Sequence, residues 1–245
     1  VPASRKIVFK DDFGEFDLSD TKGYTYKVWD YTDIANPVQK TKKTTVPFRY
    51  ELDNAPLNCK FQGTGPLEDG FYCVAGVLTG YTGAYKGMEG AKLDWAADLH
   101  GKKLDQGIHF DHSGKAEGCA LLINCKDQTG GQNIYERDIT NLCQNRQLFF
   151  ECYISIFTAS AAGKYNPVDV TVRLTEIGNE SNVIEQRATQ TLPNEGGTGD
   201  WVKINGSIFL AMNDAVKLEI VNNVNTDQNG NDLVLDDIII RACAT

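Results

Sequence analysis

The chain has 245 residues and a formal charge of -9, from 24 Lys and Arg against 33 Asp and Glu. That acidity argues against nucleic acid and anionic membrane surfaces as partners, and no apolar run approaches the roughly 18 residues of a membrane span. The length is ample for one large β-domain with a substantial core.

In chain order, the first predicted strand is "KIVF" (6–9), followed by "FKDDFGEF" with Asp11 and Asp12 at its end. Residues 14–100 are less regular, rich in Gly, Tyr, Lys and Asp, and 17–99 reads as an elaborated loop or insert region of a single domain spanning 1–245. Within it, "GYTYKVWDY" carries Tyr24, Tyr26, Trp29 and Tyr31, and "GYTGAYKG" carries Tyr81 and Tyr85. Only "GMEGAKLDWAADLHGK" (87–102), with Trp95, suggests a helix, and a short one.

Strand-like runs then recur: "GIHFD" (107–111), "CALLINC" (119–125), "LFFECYISIF" (148–157), "VDVTVRLTEI" (168–177), "WVKINGSIFL" (201–210), "VKLEIVN" (216–222) and "LVLDDIIIRA" (233–242). Turn signals such as "QTGGQN", "IGNESN" and "LPNEGGTGD" separate them. Val168, Val170, Val172 and Leu174 share one face of their strand, the period-2 pattern of a half-buried sheet. Many strands with almost no helical pattern imply an all-β sandwich.

The last predicted strand contains an anomaly. Neighbouring residues of a strand face opposite ways, so Asp236 and Asp237 cannot both face outward. The inward one needs a sheet edge, a hydrogen-bonding partner or a cation.

Seven cysteines, at 59, 73, 119, 125, 143, 152 and 243, favour an oxidising, extracytoplasmic compartment, with buried free thiols as the alternative. Cys59 and Cys73 flank a turn-rich segment and could pair. His109, Asp111 and His112 in "HFDHS" supply too few ligands for zinc and read as a surface strand end. No nucleophile elbow, H-E-x-x-H or P-loop occurs. Glu68, Asp69, Glu89, Asp94, Glu136 and Glu151 offer carboxylates but no recognisable glycosidase pair, so no enzyme activity is expected.

From about residue 100 the order of motifs resembles the jelly-roll modules of Bacteroidetes surface proteins, and more distantly MAM domains and calcium-containing jelly-roll carbohydrate-binding modules. The resemblance rests on "GIHFDHSGKAEGCALL", "IYERDITNLCQNRQLFFECYISIF", "VDVTVRLTEI", the Gly-Asp-Trp entering "WVKINGSIFL", "VKLEIVNN" and "GNDLVLDDIIIRAC", with "FKDDFGEF" matching the first strand. It implies a jelly-roll sandwich of two antiparallel sheets, with first and last strands side by side and a structural Ca²⁺ where they meet. The candidate ligands are Asp11, Asp12, Asp236 and Asp237, which member of each pair ligates being open; water-facing or backbone-bonded aspartates are the alternative. It also implies a Cys143–Cys243 bridge.

A weaker calcium signal, Asn225, Asp227, Asn229 and Asp236 at EF-hand-like spacing, reads better as a polar hairpin loop. The resemblance further implies a non-catalytic binding or adhesion module on the bacterial surface or in the periplasm. Tyr24, Tyr26, Trp29, Tyr31, Tyr81, Tyr85 and Trp95 are the candidate ligand-binding residues, because flat amphipathic rings stack on the C–H faces of sugars. A surface-protein partner is the alternative, with a glycoside hydrolase third.

Overall fold

The computed structural model describes residues 5–17, 19–20, 22–33, 35–46, 49–53, 59–63, 70–76, 111–113, 115, 117–124, 131–156, 168–190, 201–223 and 233–243. The expected helix at 87–102, the residues Tyr81, Tyr85, Trp95 and His109, and the loop 224–232 lie outside them. The described residues contain strands and no helix.

The strands are β1 (Arg5–Asp11), β2 (Glu15–Phe16), β3 (Thr25–Asp30), β4 (Val38–Lys43), β5 (Arg49–Tyr50), β6 (Lys60–Phe61), β7 (Phe71–Gly76) and β8 (Cys119–Asn124). There follow β9 (Gln132–Ile139), β10 (Arg146–Ile156), β11 (Val168–Glu176), β12 (Asn179–Gln190), β13 (Val202–Leu210), β14 (Val216–Asn222) and β15 (Leu233–Cys243).

The pairing defines the topology. Strand β8 pairs with β15, β9 with β14, β10 with β13 and β11 with β12, all antiparallel. That is one long hairpin whose tip is the turn Ile177–Gly178, where Gly178 takes φ +84°. The hairpin is rolled, because β10 also pairs with β15 and β11 with β14. The outcome is one sheet containing the order β8-β15-β10-β13 and another with the order β9-β14-β11-β12. This is the sandwich that the alternating runs implied and, in its strand order, the jelly roll that the resemblance implied.

Alternation packs the two sheets together. Val170, Val172 and Leu174 of β11 and Val216, Leu218 and Ile220 of β14 meet Leu148, Phe150 and Ile154 of β10 and Leu235 and Ile240 of β15 in one buried cluster. Strand β15 is buried on both faces from Leu233 to Ile240, which is why it reads as a nearly unbroken apolar run. Strand β12, "NESNVIEQRATQ", was not anticipated from the sequence. It is an edge strand with Val183 exposed, so it lacks the one-sided apolar pattern.

Part of the irregular N-terminal region forms a separate three-stranded sheet, β2-β3-β4, while β5, β6 and β7 extend the eight-stranded sheet beyond β8. The three-stranded sheet is fastened to the sandwich by aromatic packing: Phe16, Tyr26 and Tyr50 join the same core cluster, and Tyr26 stacks on Tyr50 with ring centroids 3.9 Å apart. Its outer strand β4 is exposed and lysine-rich, a composition that discourages further strand pairing.

The cysteines correct two expectations. Cys59, Cys73, Cys119, Cys143 and Cys152 are all free, so neither a Cys59–Cys73 nor a Cys143–Cys243 bridge forms. Cys59 Sγ instead lies 2.9 Å from Gln132 Nε2, and all but Cys143 are buried. Burial pushes the Cys59 thiol up to about 12 and Cys73, despite the pull of Arg49, to about 11, so both behave as small packing groups.

Candidate functional site

Two sites arise where the N-terminal strands meet the sandwich. The first is the junction of the chain ends. Strand β10 lies along one side of β15, and the other side is shared end to end: β8 pairs with Leu233–Leu235 and β1 with Ile238–Cys243. Asp236 and Asp237 sit at the seam between those two partners.

A bulge resolves the anomaly of the adjacent aspartates. Tyr153 opposes Asp236 and Glu151 opposes Ile239, so Asp237 and Ile238 together face Cys152. Asp237 takes φ +45°, a conformation that Asp tolerates better than most residues. Both carboxylates are buried and both are bonded.

Asp236 Oδ2 accepts the His112 amide at 2.7 Å, and its Oδ1 accepts the Asp237 amide at 2.7 Å. Burial, then the neighbouring charges of Asp237 and Asp111, push the Asp236 carboxyl well above its ordinary range. Asp237 Oδ2 lies 2.9 Å from His112 Nδ1, and its Oδ1 lies 3.5 Å from the Lys10 ammonium. Lys10 is also 3.1 Å from Asp12. Its burial pulls the ammonium's pKa down, but Asp12 and Asp237 outweigh that and raise it.

The expected metal ligands therefore separate. Asp12, Asp236 and Asp237 gather at the seam, whereas Asp11 faces the other way. Its carboxylate accepts the Tyr135 hydroxyl at 2.7 Å and the Phe13 amide at 3.1 Å. Burial raises the Asp11 carboxyl, against the pull of Arg137 and these hydrogen bonds.

Asp111, expected at a surface strand end, is buried beside the group and accepts Ser113 Oγ and the Lys115 amide. Gly118 allows this, since a Cβ there would lie 2.5 Å from the Asp111 carboxyl carbon. Among the described residues no three acidic, imidazole or thiol groups converge to hold a metal ion. Lys10 and Lys115 both line the small space of about 10 Å³ beside Asp12, Asp111 and Asp237. A calcium site of six to eight oxygens does not fit the side chains as they stand.

The second site is a cleft of about 550 Å³ between the three-stranded sheet and the sandwich, lined by β1, β3, β4, residues 50–53 and the end of β9. Its aromatic wall is a run of tilted rings: Trp29 and Tyr31 at 6.3 Å, then Tyr31 and Phe9 at 6.3 Å. Trp29 is 41% exposed. The polar lining comprises Lys10, Lys40, Lys42 and Arg137 with Asp11, Asp30, Glu51, Asp53 and Asp138. Lys40 is paired with Asp30, Lys42 with Asp53, and Arg137 Nη1 donates to the Asp53 carbonyl at 2.8 Å. The Asp30 carboxyl is held far below its usual range by Lys40 and by the Thr32 side chain and amide.

Of the predicted ligand residues, Trp29 and Tyr31 line this cleft and Tyr26 forms part of its inner wall. Tyr26 itself is buried, stacked on Tyr50, and belongs to the core. Tyr24, though 37% exposed, is outside the cleft lining. Arg137, Lys40, Lys42 and Asp53 were not anticipated. Asp30 and Lys40 are diagonal neighbours across the β3–β4 pair, where Lys40 opposes Val28 and Asp30 opposes Val38, a relation that no local sequence signal shows.

Of the carboxylates weighed as glycosidase candidates, Glu68, Asp69, Glu89 and Asp94 lie outside the described residues, and the other two are each held by cations. Glu136 on β9 is tied to Lys217, and Glu151 on β10 to Lys203 and Arg241.

No protein-family model and no curated protein matches the chain. Among solved structures, it is similar to a sugar-binding C-terminal domain named EclA, with 20% identity over 46% of this chain and 69% of that chain and a TM-score of 0.34. A xylan-binding domain of Xyn10C from Paenibacillus barcinonensis gives 18% identity over 52% and 74%, with a TM-score of 0.33. SGBP-B from a xyloglucan utilization locus in Bacteroides uniformis gives 11% identity over 98% and 65%, with a TM-score of 0.30. Likeness at these TM-scores defines neither ligand nor fold, and the jelly-roll assignment rests on the chain's own strand order.

Proposed function

We propose that this protein is a carbohydrate-binding module of an exported bacterial surface or periplasmic protein, and that the cleft between the three-stranded sheet and the sandwich takes the glycan. The observation that carries the reading is the pairing, in one cleft of about 550 Å³, of an aromatic wall with a dense polar lining. Ligand sites of this kind combine apolar surface with a few fixed polar groups. Sugar rings need both: apolar C–H faces lie against Trp29 and Tyr31, while hydroxyls exchange hydrogen bonds with Asp30, Lys40, Lys42 and Arg137. Because Lys40 and Lys42 are already paired with carboxylates, these side chains are held in place before the ligand arrives, which lowers the ordering cost of binding.

The test is a glycan array followed by titration calorimetry on the best ligand. Trp29→Ala is expected to weaken binding roughly 10–100-fold, as for a central aromatic anchor, with little change in melting temperature because the ring is 41% exposed. Binding that is unaffected by Trp29→Ala and Tyr31→Ala would remove the cleft from consideration.

A protein partner is the second reading. It is favoured by Val183, Phe209 and Met212, exposed apolar side chains on or beside the edge strands β12 and β13, where Asn182 Nδ2 donates to the Phe209 carbonyl at 2.8 Å. Apolar groups that gather on one exposed face mark protein contacts.

A further inference from the structure

We propose that Lys10 is the resident counter-cation of the junction between β1 and β15, its ammonium standing between Asp12 and Asp237 where a divalent metal would otherwise bind. The junction then holds without metal. The disagreement between the expected calcium and the side chains present thus has a positive content: the cation is supplied by the chain itself.

Three features carry this. Lys10 reaches both carboxylates, at 3.1 Å and 3.5 Å, and its side chain is only 24% exposed, with Asp12 at 13% and Asp237 at 12%. Carboxylates so shielded from water repel unless a positive charge lies between them. The neighbouring space is small, about 10 Å³, with Lys10 itself in its lining, so a divalent ion would be set against the ammonium already there.

Asp12 and Asp237 also lie on opposite sides of the seam. Asp12 follows the last residue of β1, and Asp237 sits in the bulge of β15. A cation bridging them fastens the first strand to the last. Strand β1 in turn delivers Phe9 and Asp11 to the cleft, although the inference does not depend on what the cleft binds.

The geometry also predicts what happens when Lys10 is removed. A methionine keeps the apolar stem but leaves Asp12 and Asp237 unneutralised, so their repulsion is no longer offset.

The experiment is thermal unfolding of the full chain and its variants in chelator and in millimolar CaCl₂. The unsubstituted protein is expected to melt at the same temperature in both. Lys10→Met is expected to melt about 4–8 °C lower in both. The combined Lys10→Met, Asp12→Asn and Asp237→Asn variant is expected to regain stability without calcium, because the repulsion is gone. Lys10→Arg is expected to keep more of the stability than Lys10→Met.

A drop in the melting temperature of the unsubstituted protein in chelator would overturn the proposal, since a metal would then be the counter-cation. Undiminished stability of Lys10→Met in chelator would overturn it as well. So would a loss that removal of the two acidic groups does not repair, because Lys10 would then act only through the packing of its stem.

Discussion

Glu176→Ala is expected to destabilise the sandwich by about 3 kcal/mol, the range for removing a buried charged acceptor and orphaning its donors. Glu176 ends β11 and is fully shielded from solvent. Its Oε1 accepts the Met212 and Asn213 amides at 2.8 Å and 2.7 Å, and its Oε2 accepts the side-chain amides of Asn179 and Asn182 at 2.9 Å and 2.7 Å. One carboxylate thus ties the tip of the long hairpin to the turn between β13 and β14. Alanine would leave two backbone donors without a partner at a position where the neighbouring strands cannot easily move.

The same group makes stability depend on pH in a defined direction. Burial alone would raise the Glu176 carboxyl, but Asn182, the two backbone amides and Asn179 outweigh it and bring its pKa down to about 2. The unfolded chain titrates near 4.3. A carboxyl depressed by folding contributes its stability above the unfolded value and loses it as pH falls through the folded one. Denaturant unfolding of the unsubstituted protein and of Glu176→Gln should therefore differ most at neutral pH, and the gap should shrink between about pH 5 and pH 2. An equal gap at pH 7 and at pH 2.5 would mean that the ionised form is not what the hairpin tip uses.

Gly14→Ala is expected to cost about 2–5 kcal/mol, because two penalties coincide. Gly14 has φ +72°, and a Cβ there would lie 2.2 Å from the Lys27 carbonyl oxygen and 2.9 Å from Val28 Cγ1. The close oxygen belongs to backbone, so the relief has to come from moving β3 away from the β1–β2 corner. Val28 and Trp29 are on that strand and line the cleft. The substitution should therefore lower the melting temperature by about 5–15 °C and weaken any ligand that the cleft binds.

Gly178→Ala separates the two penalties. Gly178 has φ +84°, but the nearest atom to its added Cβ is the side-chain nitrogen Nδ2 of Asn213 at 3.4 Å. Only the backbone conformation is penalised there, so a loss of about 1 kcal/mol is expected. If the two glycines proved equally tolerant of alanine, the tight approach of β3 to the corner would be refuted.

Much of the sandwich was legible because its central strands have one wet and one dry face. Val170, Val172 and Leu174, or Val216, Leu218 and Ile220, announce themselves by alternation. Strands solvated on both sides do not: β4 is exposed along nearly its whole length, and β12 is a mostly polar edge, so neither carried a pattern. The pair Asp236 and Asp237 was legible as an anomaly without its cause. Nothing local to that stretch encodes the bulge, which arises where β8 gives way to β1 along the same side of β15. The aromatic residues were legible as candidates, but their fates differ: Tyr26 packs into the core while Trp29, three residues on, stays exposed.

By itself the sequence determined that β8, β10, β11, β13, β14 and β15 are strands and which of their side chains share a face, because those properties follow from local alternation and turn chemistry. Only the tertiary structure decided which strands lie side by side. The register that places Arg5 opposite Cys243, the lysine between Asp12 and Asp237, and the shared cleft of Trp29 and Arg137 are relations between residues far apart in the chain. Their physical origin is the packing of whole sheets, in which each strand's neighbours are selected by burial of the common core rather than by its own residues.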